Sequence, residues 1–243
     1  MQGKACKIRV LRGTGGSPRH ISNFGVANGV AYMVPAHQTI PGVNLQRVLR
    51  VGSWKVLRLS EDKQLSHPSD ELSRLKVDMV GLSETRRPGN GKTSSKGFIY
   101  YWSSTRNGHH VKGVAIDISS RLQPSVVEVT PVDEHIMRLR LKNSLGFMSV
   151  VVVYAPTKVC ETEEKETFYA KLDSVLDQCS CCDALIVLGD FNAVTGTERA
   201  SYELCAGPPW LCTRNDNSSF LLNLARSRRF LVSEISAAPL DLV

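Results

Sequence analysis

Two aliphatic runs constrain this chain more than anything else in it: FMSVVVVYA at 147–155 and ALIVLG at 184–189. Each is far shorter than the roughly 18 unbroken apolar residues of a membrane span, and each is rich in β-branched side chains, so each predicts a buried strand. Between them the period changes. In TEEKETFYAKLDSVLDQC, residues 162–179, Phe168, Leu172, Val175 and Leu176 fall at i, i+4, i+7 and i+8, the spacing of an amphipathic helix. Glutamates crowd its first turn, where the helix dipole favours them.

The same periodicity argument predicts strands at VLRVGSWKVL (48–57), VDMVGLSE (77–84), FIYYWSS (98–104), GVAIDISS (113–120), SVVEVT (125–130) and HIMRLRLK (135–142). Pro68 and a capping Ser69 predict a short helix reaching about Lys76, and NDNSSFLLNLARSRR (215–229) begins with capping residues and ends with arginines, as a helix does. RPGNGKTSSKG (87–97) reads as a loop, and FLVSEISAAPLDLV (230–243) has no clear pattern. Many strands with two or three helices among them predict a layered α/β or α+β domain over residues 48–232. Residues 1–47 read as a basic, poorly ordered leader and 233–243 as an unrelated tail.

The formal charge of +7 is unevenly placed. Residues 1–60 carry nine Lys or Arg and no Asp or Glu, which leaves the remainder at −2. The basic character therefore belongs to the N-terminal segment and is poor evidence that the body binds nucleic acid. No stretch reads as a membrane span, the first residues lack the apolar core of a secretory signal, and the seven cysteines are odd in number. Reduced thiols and a nuclear or cytoplasmic setting, not secretion, are expected. CSCC (179–182) has no second Cys/His pair at zinc-site spacing.

Polar residues stand where three predicted strands end. Glu84 follows VDMVGLS, Tyr154 follows MSVVVV, and Asp190 and Asn192 follow ALIVLG. In layered sheet folds, strand ends are where side chains converge on a ligand. A hard cation such as Mg²⁺ or Mn²⁺ takes one or two carboxylates, waters and phosphate oxygens, which Glu84 and Asp190 would serve. Asn192 both donates and accepts, which suits a water or a phosphate oxygen, and the Tyr154 phenol donates without adding charge. Taken singly, Glu84 reads equally as the start of a loop, Asp190 as a turn former and Tyr154 as a core residue.

In order and spacing, SWKVLRL, VDMVGLSETR, VVVVYAPT and IVLGDFNAV resemble the endonuclease/exonuclease/phosphatase superfamily, and within it the endonuclease domain of RTE- or BovB-type LINE retrotransposons. The resemblance runs from about Val48 to Arg229. It implies an α/β (α+β) layered sandwich of two β-sheets flanked by helices, the second half incomplete, and a Mg²⁺- or Mn²⁺-dependent phosphodiesterase acting on DNA. It implies that Glu84 and Asp190 serve the metal, that Tyr154 sits beside the scissile phosphate, that Asp190 orients or activates the attacking water, and that Asn192 binds the phosphate. From the chain's own residues, no membrane association and no obligate protein partner are expected.

Two departures from the family pattern predict weak or absent hydrolysis. Where the family reads tryptophan then asparagine, this chain reads Trp54 then Lys55. An ammonium within about 4 Å of a dication is repelled by roughly 8 kcal/mol at an effective dielectric near 20. Lys55 is therefore expected to weaken metal binding or to swing to a substrate phosphate. The family's later Asp and Asp-His pair also lack counterparts, because no histidine follows His135. His109 and His110 lie in a loop away from the strand ends. A sheet short of its packing partner is expected to expose an apolar face. The other reading is a non-catalytic remnant that binds nucleic acid through its leader, or binds a protein.

Overall fold

The computed structural model describes residues 6–9, 26–27, 30–33, 49–56, 59, 61–105, 112–143, 146–193, 202 and 215–234. Its strands are β1 (Cys6–Arg9), β2 (Val26–Ala27), β3 (Val30–Met33), β4 (Leu49–Lys55), β5 (Met79–Ser83), β6 (Asn90–Ser95) and β7 (Phe98–Ser103), then β8 (Val114–Ser119), β9 (Val126–Pro131), β10 (Ile136–Asn143), β11 (Gly146–Tyr154), β12 (Ala184–Asp190) and β13 (Leu231–Glu234). Its α-helices are α1 (Ser66–Arg74), α2 (Thr162–Asp177) and α3 (Asp216–Arg228). One sheet has the order β2-β3-β4-β5-β8-β7-β6, and the other β13-β1-β12-β11-β10-β9. The fold is the expected layered sandwich of two sheets flanked by helices.

Three apolar clusters set the layers. Val150 and Val152 of β11 join Ile186 and Leu188 of β12 in the cluster between the sheets, with Met79, Ile116 and Ile118 of the facing sheet. Val151 and Val153, together with Leu185 and Val187, point the other way and pack under Phe168, Leu172 and Leu176 of α2 and Leu221 and Ala225 of α3. The valine run is continuous because both faces of its strand are covered. A third cluster seats Leu72 of α1 against Val80, Leu82 and Tyr100 on the outer face of the other sheet. Among the described residues the exposed large apolar side chains are Val127, Val132 and Val159. The apolar face expected to lie open is thus filled from both sheets.

Several local expectations differ from the structure. Helix α1 begins at Ser66, after a 3-10 turn over Asp62–Leu65. Ser69 lies inside it, and its hydroxyl donates to the Leu65 carbonyl at 2.7 Å in place of capping the helix. Pro68 still sits in the first turn, where a missing N–H is harmless. The expected loop at 87–97 contains β6, which pairs with β7 through a two-residue turn at Lys96 and Gly97, both with positive φ. The expected leader supplies β1, β2 and β3, and the patternless tail supplies β13, which pairs with β1. The rest of the leader, residues 235–243 of the tail, and His109 and His110 lie outside the described residues. Among the described residues no helix is long and apolar enough to cross a membrane.

Candidate functional site

Two parallel strand pairs, one in each sheet, position the site. In one sheet β4 runs parallel to β5, with Lys55 opposite Ser83 and Glu84 next along the chain. In the other β11 runs parallel to β12, with Tyr154 opposite Asp190. The C-terminal ends of all four strands reach the same edge of the sandwich, and their last side chains meet there.

The Lys55 ammonium lies 3.0 Å from Glu84 Oε1 and 3.1 Å from Asp190 Oδ2. The Tyr154 hydroxyl donates to the same Glu84 oxygen at 2.7 Å, and Arg86 stands 3.8 Å from the other. The Asp190 side chain is only 4% exposed, so its partners and not solvent set its environment. Burial opposes the charge on Lys55, but Asp190 and Glu84 outweigh it and raise the ammonium pKa above its ordinary 10.5. Burial likewise opposes ionisation of Glu84, and the Tyr154 hydroxyl and Lys55 outweigh it, so its pKa falls. Burial and the adjacent Glu84 carboxylate push the Tyr154 phenol upward, which keeps it a protonated donor.

Asn192 closes the site from the β12 exit. Its backbone N–H donates to Asp190 Oδ1 at 3.0 Å, and its side-chain amide donates to the Ala155 carbonyl at 2.8 Å, tying the ends of β11 and β12 together. Its own carbonyl accepts from Asn215 Nδ2 at 2.8 Å and Asn217 Nδ2 at 3.2 Å, which docks the start of α3 beneath the site. The described non-glycine residues with positive φ are Lys76, Glu84, Arg86, Lys96, Asn192 and Arg229. Lys76, Lys96 and Arg229 follow a helix, turn a hairpin or cap a helix. The other three surround this site, where such backbone costs about 1–3 kcal/mol each and marks a geometry fixed by its surroundings.

Sequence reasoning identified Lys55, Glu84, Tyr154, Asp190 and Asn192, and the structure brings all five together. It missed Asn215, Asn217 and His135. Asn215 and Asn217 read only as capping residues. His135 stacks on Tyr154 with ring centroids 6.0 Å apart, its Nδ1 donates to the Tyr154 carbonyl, and its Nε2 accepts from Lys112 at 3.2 Å. The antiparallel pairing of β10 with β11, which sets Ile136 opposite Val153, puts the start of one strand beside the end of the other. That pairing was the available signal.

The superfamily resemblance implies a divalent metal ion, and the side chains as arranged do not fit one. Mg²⁺ holds oxygens at about 2.0–2.1 Å in a near-ideal octahedron. The point between the Glu84 and Asp190 carboxylates where it would sit holds the Lys55 ammonium. Among the described residues, no three His, Cys, Asp or Glu side chains gather into a metal-binding group.

No family model matches the chain. Craniofacial development protein 2 of Tragulus javanicus is 27% identical over 148 residues, which is 61% of this chain and 25% of that protein. Its Bos taurus counterpart is 26% identical over 148 residues, with the same coverage. The chain thus spans about a quarter of the length of these curated relatives. Among solved structures, the endonuclease domain of TRAS1, a telomere-specific non-LTR retrotransposon, superposes with a TM-score of 0.54 at 14% identity, over 79% of this chain and 77% of that one. At that identity the likeness speaks for the fold. With its two packed sheets and flanking helices, the chain has the layered fold of that endonuclease domain, and over 148 residues its sequence is similar to craniofacial development protein 2.

Proposed function

We propose that this chain is a DNA-endonuclease-like domain of non-LTR retrotransposon descent that binds the phosphodiester backbone of DNA and hydrolyses it weakly or not at all. The observation that supports this reading is the convergence of Glu84, Tyr154, Asp190 and Asn192 at one edge of the sandwich, on the positions where the resemblance puts phosphodiester chemistry. The likeness in fold to the endonuclease domain of TRAS1 is in keeping with a nucleic-acid backbone as the substrate class. Weak hydrolysis follows from how these groups satisfy one another. The Tyr154 hydroxyl is engaged by Glu84, the Asn192 amide by the Ala155 carbonyl, and both carboxylates by Lys55. A nuclear or cytoplasmic setting accompanies this reading, and the four described cysteines, Cys160, Cys179, Cys181 and Cys182, are free thiols.

Two measurements on the full chain test it. Fluorescence anisotropy with duplex DNA is expected to show binding that weakens as salt rises, because phosphate contacts release counterions. A supercoiled plasmid incubated with Mg²⁺ or Mn²⁺ is expected to be nicked no faster than background. Nicking that disappears in Asp190→Ala and with chelator would overturn the weak-hydrolysis half of the proposal. Absence of DNA binding at low salt would overturn the other half.

A further inference from the structure

We infer that Lys55 is a tethered cation holding the position of a divalent metal ion, so that the wild-type site excludes divalent ions and removal of the ammonium uncovers a latent site for a hard one. The inference concerns the cation position alone and holds whether or not the chain binds DNA.

Glu84 Oε1 and Asp190 Oδ2 both contact one ammonium, at 3.0 and 3.1 Å. These two oxygens come from different sheets and have one cation in common. The other oxygen of each carboxylate faces elsewhere: Asp190 Oδ1 accepts the Asn192 N–H, and Glu84 Oε2 faces Arg86. What converges on the Lys55 nitrogen is therefore one oxygen from each acid, with the Tyr154 hydroxyl alongside on Glu84 Oε1. Take the ammonium away, and two like charges face a common point with nothing between them. Oxygen-only donors suit Mg²⁺ or Mn²⁺ more than a thiol- or imidazole-loving ion, and waters would complete the octahedron.

Lys55 is held there by more than chance reach. It is the last residue of β4, in register with Ser83 of β5, so the strand pairing fixes where its stem starts. Its ammonium also lies 5.7 Å from the centre of the Tyr154 ring, close enough for the ring face to attract it. A free ion entering from solvent would have to displace a cation that is covalently attached and already has two carboxylates and an aromatic face.

The test follows the electron paramagnetic resonance signal of free aqueous Mn²⁺, which loses intensity on binding, alongside thermal melts with and without the ion. Wild type is expected to leave the signal intact and to melt at the same temperature with millimolar Mn²⁺ or Mg²⁺. Lys55→Asn and Lys55→Met are expected to take up roughly one Mn²⁺ per chain and to gain about 5 °C in Tm at a hundredfold excess over Kd. That uptake is expected to vanish when Asp190→Asn or Glu84→Gln is added. The inference is overturned by Mn²⁺ uptake by wild type that Glu84→Gln abolishes, or by folded Lys55 variants that leave the signal intact. If the variants fold only with Mn²⁺ present, the ion is standing in for the ammonium and the inference is supported. If they fold in neither condition, Lys55 is a structural residue with no replaceable cation role, and the inference falls.

Discussion

A buried carboxylate with one oxygen left unpaired strains a fold more than most side chains, and Asp117 is one. It lies in β8 opposite Tyr100 and Val80, is 3% exposed, and its Oδ1 has no hydrogen-bond partner. Burial pushes its pKa from an ordinary 3.8 up to about 7. The fold therefore retains a proton that the unfolded chain gives up between those two values. Stability falls as pH rises through that window, by up to ~4 kcal/mol, and levels off above about pH 7. Asp117→Asn keeps the shape without the charge. It is expected to raise Tm at pH 8, leave it nearly unchanged at pH 4, and flatten the Tm–pH profile. An equally steep profile in the variant would rule out Asp117 as the cause. Nothing local in the sequence marks Asp117, because the cover on its face comes from Val80 and Tyr100, on the neighbouring strands. Lys55 was legible as a departure from a pattern. Its pairing with Glu84 and Asp190 was not, since a four-carbon stem can swing to either side.

At the scale of elements, the end of β12 depends on one glycine. Gly189 has φ +142°, and a Cβ there would come within 1.9 Å of the Val153 carbonyl oxygen. Val153 and Gly189 are opposite each other in the parallel pair, one step before Tyr154 and Asp190. Gly189→Ala must push β11 and β12 apart just where the site begins. It is expected to lower stability by at least ~2 kcal/mol in urea unfolding and to weaken DNA binding beyond that loss. A variant as stable as wild type would show that the strands separate there at little cost. The strands nearest the site were legible because β11 and β12 are buried on both faces and read as aliphatic runs, the first broken only by Ser149. β6 was not, because Asn90–Ser95 is a largely exposed strand with no apolar residue, and only its turn at Lys96-Gly97 marks it. β1 and β13 are four residues each, lie at opposite ends of the chain and pair with each other, so neither carries a local signal.

On the scale of the whole molecule, the two sheets of the sandwich come close together at Gly81. A Cβ on Gly81 would sit 2.8 Å from a Val152 methyl and 3.1 Å from Leu188 Cβ, both in the opposite sheet. At the edge beyond Gly81 the layers meet through charge. Lys55 and Glu84 belong to one layer, Tyr154 and Asp190 to the other, so the ammonium fastens the rim as it fills the site. A neutral amide at that position, as in Lys55→Gln or after acetylation of the amine, would unfasten one lip of the molecule and leave its interior shut. Hydrogen exchange read peptide by peptide is expected to quicken at 53–56, 84–86, 154–156 and 190–193 and to stay slow across Leu139 and Val150. Uniform exchange everywhere would mean that grease alone keeps that lip closed. One amine thus acts as the latch of a clamshell, and whatever chemistry neutralises it would also decide how far the shell gapes.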